Sequence, residues 1–442
     1  MKRITAFFMA LILIVFASSC DLDNKNTESD TIKVYFSNAM SDGTYIINNM
    51  NELFFMDLID NYNETYKNDD GFKKIEVVEF ENEEAMRSKL STELMAGTGP
   101  DIIFSSASLP YEKLISMGVL ADIDEILKFT DIDTDNYNKI VFDSGCVKGK
   151  RYFLPLFYSV DTISALNSKL ENYKISKDST FTYDNLNVVC NQYLQKSDIP
   201  FYLEYADRKE LICDIVSEYV DFDNKSCDFD NNMLKSALNT AYELMNAGLT
   251  DVEETAEDSL FSKYCGDLGF LGACAYFASA LKSEDEVVIF NDISENAADI
   301  KATVQLGVAV NNASTQKKDI AYFLDYLLSQ KVQNDFCGAN IKEYNEAYIM
   351  GSYLPVNNLS LNDLLKTGVS LTYCDNTVNI KNDDIEPYVS YITKINKCDM
   401  GIYNYYKEEI IGDPVSDFLD GSINTNKFIE QLTAKTKLYL EE

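Results

Sequence analysis

Between Thr31 and Phe104 the chain alternates β and helical periodicity, and this alternation constrains its fold more than any other feature. TIKVYF (31–36) is a β-rich run, and from about 44 to 67 apolar residues return at helical spacing through Ile46, Met50, Leu53, Phe54 and Leu58. KKIEVVEF (73–80) reads as a second strand. A helix capped by Asn82 and running to Ala96 would line up Met86, Leu90 and Leu94 on one stripe. Gly97, Gly99 and Pro100 end it, so a third strand starts at Asp101. Strands joined in this way by helices predict right-handed crossovers and a mostly parallel sheet, with ligands bound beyond the carboxyl ends of the strands. At those ends lie Ser37, Asn38, Ser41 and Asp42, then Ser105, Ser106 and Ser108. Short polar residues there also serve as turn formers and helix caps.

Further along, helical spacing dominates from about 164 to 285, VQLGVAV (304–310) reads as a buried strand, and helices return at 318–336 and from about 384 to the end. A chain of 442 residues exceeds what one hydrophobic core usually serves, so two lobes are expected.

Composition removes several functions. The 72 acidic residues against 38 basic ones give a net charge of −34, a field that repels phosphates and argues against nucleic acid as a partner. The chain has no histidine, which excludes Ser-His-Asp and Cys-His catalysis and argues against the usual zinc sites. Acidic neighbours such as Asp69 with Asp70 or Asp383 with Asp384 are expected by chance at this abundance, and nothing singles out the pair a glycoside hydrolase would need. Of the ten cysteines, those after Cys20 form no CxxC pair, which leaves disulfides and buried thiols both open.

The amino terminus has the three parts of an export signal. Lys2 and Arg3 precede the apolar run Ile4 to Phe16, and small residues Ala17, Ser18 and Ser19 lead into Cys20. The run is shorter than the ~20 residues that cross a bilayer. Its ending resembles a bacterial lipoprotein signal, which implies cleavage after residue 19 and lipidation of Cys20; a plain secretory signal is the alternative. DLDNKNTESD (21–30) holds one apolar residue in ten and reads as a solvated tether.

TELMAGTGPDIIF (92–104), GVLADIDEIL (118–127) and GKRYFLPLFYSVDTISALNSKL (149–170) resemble successive blocks of the family 1 extracellular solute-binding proteins, the maltose-binding-protein-like receptors of ABC importers. KKDIAYFLDYLLSQKVQNDF (317–336), GSYLPVN (351–357) and DFLDGSINTNKFIEQLTAKTKLYL (417–440) continue the likeness in the family's order. The resemblance implies an α/β, two-lobed periplasmic-binding-protein fold of type II, with crossings near Phe157–Ile163, Ile300–Gln305 and Tyr353–Asn357. Residues 1–19 would be the signal and 20–30 the lipidated tether. One lobe would combine 31–158 with 304–353, and the other 159–303 with 354–442.

It further implies a monomeric, cofactor-free, non-enzymatic receptor, anchored through Cys20 on the extracellular face of the membrane. Such a receptor delivers a small solute, an oligosaccharide or sugar derivative, to a permease. Carried over by position, the polar residues after the first and third strands would be joined at the ligand by Tyr158, Ser159 and Asp161 near the first hinge. Tyr276 and Phe277 would add ring faces from the other lobe. With no Trp, the 29 Tyr and 25 Phe must supply any stacking against a sugar. The acidic charge keeps a polyamine or other cation open as the solute. A sensor role shares the same fold.

Overall fold

In the computed structural model, the residues described are 30–37, 47–80, 83–104, 109–182, 203–204, 208–246, 261–264, 274, 277, 280, 284–292, 296, 298–336, 353–367, 369–373, 376–380 and 382–441. Cys20 and the tether, apart from Asp30, lie outside them. Among the described residues no helix is long and apolar enough to cross a membrane.

The opening alternation folds as its periodicity predicts. Strands β1 (Thr31–Ser37), β2 (Lys74–Phe80) and β3 (Ile102–Phe104) are joined through the helices Ile47–Tyr66 and Glu83–Met95. β1 pairs in parallel with both β2 and β3. Side chains alternate across this sheet as a strand's two-residue period requires. Ile32, Val34, Ile102 and Phe104 join one buried cluster, while Tyr35 and Ile103 join another on the opposite face.

A short hairpin, β4 (Cys146–Val147) and β5 (Lys150–Arg151), precedes β6 (Leu154–Val160). After the single residue Asp161 comes β7 (Thr162–Leu166), in a different sheet with β8 (Leu203–Glu204), β11 (Phe261–Tyr264) and β12 (Val287–Asn291), ordered β12-β7-β11-β8. Another hairpin, β9 (Val220–Asp221) with β10 (Ser226–Cys227), lies between β8 and β11 in sequence. The chain returns through β13 (Lys301–Val310), β14 (Leu354–Pro355), the hairpin β15 (Val369–Tyr373) with β16 (Asn376–Ile380), and β17 (Lys397–Asp399). The first sheet has the order β14-β6-β13-β3-β1-β2, with β17 also paired to β13.

Two expectations change here. The first sheet is mixed, because β13 re-enters from the second sheet and so runs antiparallel to β3 and β6. The Tyr353–Asn357 segment does not leave the first sheet: β14 pairs with β6 there. Residues as late as Ile395 stay in the first cluster, and Met400 and Ile402 in its opposite-face partner. Only from Tyr406 does the chain join the second core, which includes Ile163, Phe261, Phe290, Phe418 and Phe428. Cys274, Phe277 and Ala280 likewise pack in the first cluster.

Between the two cores sit four charges. Lys407 Nζ lies 2.6 Å from Asp214 and 3.4 Å from Asp399, and Lys301 Nζ lies 3.5 Å and 3.6 Å from the same carboxylates. Asp214 comes from the helix Arg208–Ser217 of the second core, whereas Lys301 and Asp399 belong to the first sheet. Burial raises the Asp399 carboxyl, but Lys407, Lys301 and the Gly401 amide outweigh it and hold it at about 2. Gly401 donates to Asp399 Oδ1 at 2.8 Å from a backbone at φ +72°, a conformation that favours glycine.

An ion group largely out of water contributes little net stability, yet losing one member strands the others. Lys407→Met should therefore cost about 3 kcal/mol in chemical denaturation. Because the folded carboxyl of Asp399 sits below its unfolded value near 4, its contribution is present above about pH 4 and fades as pH falls toward 2. Stability measured across that window should drop less steeply in Asp399→Asn.

Candidate functional site

The carboxyl ends of β1, β3 and β6 point the same way, since β13 is antiparallel to both β3 and β6. β13 and β6 run on past the end of β3. Phe104 pairs with Val308, whereas Val160 reaches Ala302. On the other edge of β13, β17 pairs only with Lys301 to Thr303. Residues 304–307 of β13 therefore lie between its pairing with β3 and its pairing with β17. Thr303 to Leu306 are only half-buried, unlike the fully buried Gly307 to Val310. This open stretch, facing the turn into the second sheet, is the candidate site.

Gln305 stands at its centre, where the β13–β6 register slips on either side of Leu306. A slip of this kind frees a side chain from the regular ladder. Gln305 Nε2 donates to Ser159 Oγ at 2.9 Å, so a fully buried serine is satisfied by a half-buried amide. Asp161, 8% exposed, is the one residue between the two sheets, and its carbonyl accepts from the Tyr391 hydroxyl at 3.2 Å. Past it, Thr162 and Ser164 are buried polar residues on β7, and Asn291 Nδ2 donates to the carbonyls of Phe181 and Asp292 at 2.9 Å and 2.7 Å. Asp161 and Asp292 both lie close enough to Lys301 to favour its charged form, although burial opposes it. The crossing is thus lined by hydroxyls, amides and carboxylates.

Of the residues singled out from sequence, Ser159 and Asp161 lie at this crossing. Tyr158 is fully buried, and its phenol is pushed up by burial. Phe277, 4% exposed, packs in the first core. Both rings are core side chains here, because the aromatic residues Tyr388 and Tyr391 occupy the same cluster. Asn38, Ser41, Asp42, Ser105, Ser106, Ser108 and Tyr276 lie outside the described residues. Gln305 was not singled out, although one amide inside the apolar run VQLGVAV was a visible signal.

Among the described residues no group of His, Cys, Asp or Glu is arranged to hold a metal ion. Cys146, Cys227, Cys274 and Cys398 are free thiols, and burial pushes that of Cys398 up to about 12.

The sequence matches no protein-family profile and no curated protein. Solved structures are more informative. The sugar-binding protein MalE of Xanthomonas citri superposes with a TM-score of 0.63 at 12% identity, over 93% of this chain and 97% of that one. For the cyclic α-maltosyl-1,6-maltose binding protein of Arthrobacter globiformis the values are 0.57 and 14%, over 93% and 99%. A family 1 extracellular solute-binding protein from Alicyclobacillus acidocaldarius gives 0.57 and 12%, over 93% and 98%. The chain has the fold of the family 1 solute-binding proteins.

In that fold the crossing described above joins the two halves of the molecule, and Gln305 is the half-buried amide that braces it. Gln305→Leu should leave the Ser159 hydroxyl buried without its donor. The expected loss is about 1 kcal/mol, read from the denaturant midpoint.

Proposed function

We propose that this protein captures a hydroxyl-rich solute, an oligosaccharide or sugar derivative, between two lobes and delivers it to an ABC permease. The observation that carries the reading is that the chain leaves the first sheet on β6 and re-enters it on the neighbouring strand β13. β6 ends at Val160 opposite Ala302 of β13, and β17 ends at Asp399 opposite Thr303. β6 and β13 thus cross side by side in opposite directions, while β17 runs parallel to β13; paired crossings permit rotation of one body against the other. The lobes would be 31–160 with 301–402, and 162–292 with 406–442, except that Cys274, Phe277, Ala280 and Val287 pack with the first.

Hydroxyls and carboxylates at the crossing suit a polyol, and the fold's solved examples include proteins named for maltose-type oligosaccharides. Closure follows only if the solute contacts both lobes and so prefers the closed form. A cationic solute is the second reading, favoured by the charge of −34.

The experiment is a melting-temperature screen against oligosaccharides and polyamines. A bound solute at one hundred times its Kd should add about 2.7 kcal/mol of stability. An oligosaccharide shift is the expected result; a response confined to spermidine would select the cationic reading. Silence from both classes would overturn capture of either.

Cys20 would carry the acyl chains that hold this receptor at the membrane, with 21–30 as its reach toward the permease. Cys20→Ala should release folded, solute-competent protein into the medium, and retention on the membrane would show an uncleaved anchor instead.

A further inference from the structure

A cavity of about 420 Å³ lies against the first core and shares no lining residue with the crossing. One wall is the end of the Ile47–Tyr66 helix with the turn at 69–73 that follows it; the other is the helix Lys317–Leu328 with Ser329 after it. Beneath the cavity the two walls meet ring to ring, Tyr62 edge-on to Phe323 with centroids 4.9 Å apart. The volume falls in the range of small-molecule sites, about 300–1,000 Å³.

Five rings line this cavity. Tyr62 is buried, Tyr66, Phe72 and Tyr326 are half-buried, and Tyr322 is 48% exposed. Tyr62 meets Tyr66, Tyr326 and Phe72 at centroid distances of 5.0, 5.1 and 5.9 Å, with the planes inclined by 48°, 58° and 46°. Tyr66 in turn stands edge-on to Tyr326 at 89°. Rings inclined in this way do not cover one another's faces as stacked rings do, and an open ring face attracts a cation.

The polar groups share that preference. Asp69, Asp70, Asp319 and Asp325 line the cavity against two lysines, and Lys73 is already paired with Asp319 at 3.3 Å. Asp69, Asp70 and Asp325 are exposed, so their carboxylates are open to a ligand. Partial burial and the nearby Asp131 push the Asp325 carboxyl up, the direction of a carboxylate that no cation holds down. Two helices also end at this cavity, and neither has a basic residue in its last turn to answer the negative end of its dipole.

We propose that this cavity binds a small quaternary ammonium compound, its cation among the rings of Tyr66, Tyr322 and Tyr326 and within the field of Asp69, Asp70 and Asp325. A quaternary nitrogen carries no N–H and so asks for no hydrogen-bond acceptor. It asks for ring faces and negative charge, and this cavity supplies both. The site is separate from solute capture, so its test does not depend on what the cleft binds.

The probe is choline, titrated calorimetrically into the full chain at constant ionic strength. Its neutral counterpart is 3,3-dimethylbutan-1-ol, in which carbon replaces the charged nitrogen. Saturable choline binding is expected, with the alcohol about tenfold weaker or worse. Tyr322→Leu and Asp325→Asn change exposed side chains, so each should keep the melting temperature of the free protein while weakening choline about fivefold. No choline binding by the full chain, unchanged binding in either variant, or the alcohol binding as tightly as choline would each overturn the assignment.

Discussion

Lys301 opens the longest strand of the first sheet and at the same time faces two carboxylates, Asp214 and Asp399. Most of the architecture depends on that double role. β13 is the strand on which β3, β6 and β17 all register, and its first residue is tied to a helix of the other core. Two lysines and two aspartates cancel in charge, and each side chain stays at most one-third exposed. Such a group is tolerable only while all four members are in place, because a missing partner leaves a charge in poor solvent. The quartet therefore fixes where the Arg208–Ser217 helix and the Tyr406–Ile410 turn sit against the first sheet. Its contribution is geometric more than energetic.

Tyrosine does related work in neutral form. Without Trp, the chain fills its interior with rings that carry a hydroxyl, and a buried hydroxyl needs a partner. Tyr406 meets Thr436 at 2.6 Å inside the second core, and Tyr326 reaches the carbonyl of Leu58 at 3.4 Å inside the first. Tyr391 reaches the carbonyl of Asp161 at the crossing itself. Each bond joins elements far apart in sequence, so ring packing and register are fixed together.

What the sequence disclosed and what it hid follow from the range of the interactions. Periodicity is local, and β1, β2, β3 and their helices were legible because each buries one face of a regular element. The course of the chain after residue 353 was not. β17 is three residues, Lys-Cys-Asp, with no β pattern, and it exists only because the start of β13 offers an edge. Tyr158 and Phe277 show the same limit in the site: an aromatic residue reads alike in a core and in a cleft, and only its neighbours decide. Glu112 is the converse. An acid in the first turn of a helix reads as a solvated group favoured by the helix dipole. In the fold, burial instead pushes its carboxyl up to about 7.

The crossing at Asp161 sets the terms on which the two bodies can move. β6 is buried along its whole length and β7 nearly so, which leaves one residue to absorb a change of angle between them. The backbone there is also restrained by Tyr391, so rotation about Asp161 must stretch that bond or carry the Glu386–Ile392 helix along. That helix packs in the first core and therefore stays with the first sheet. The half-buried Thr303 to Leu306 lie on the strand paired with β6, next to that restrained crossing.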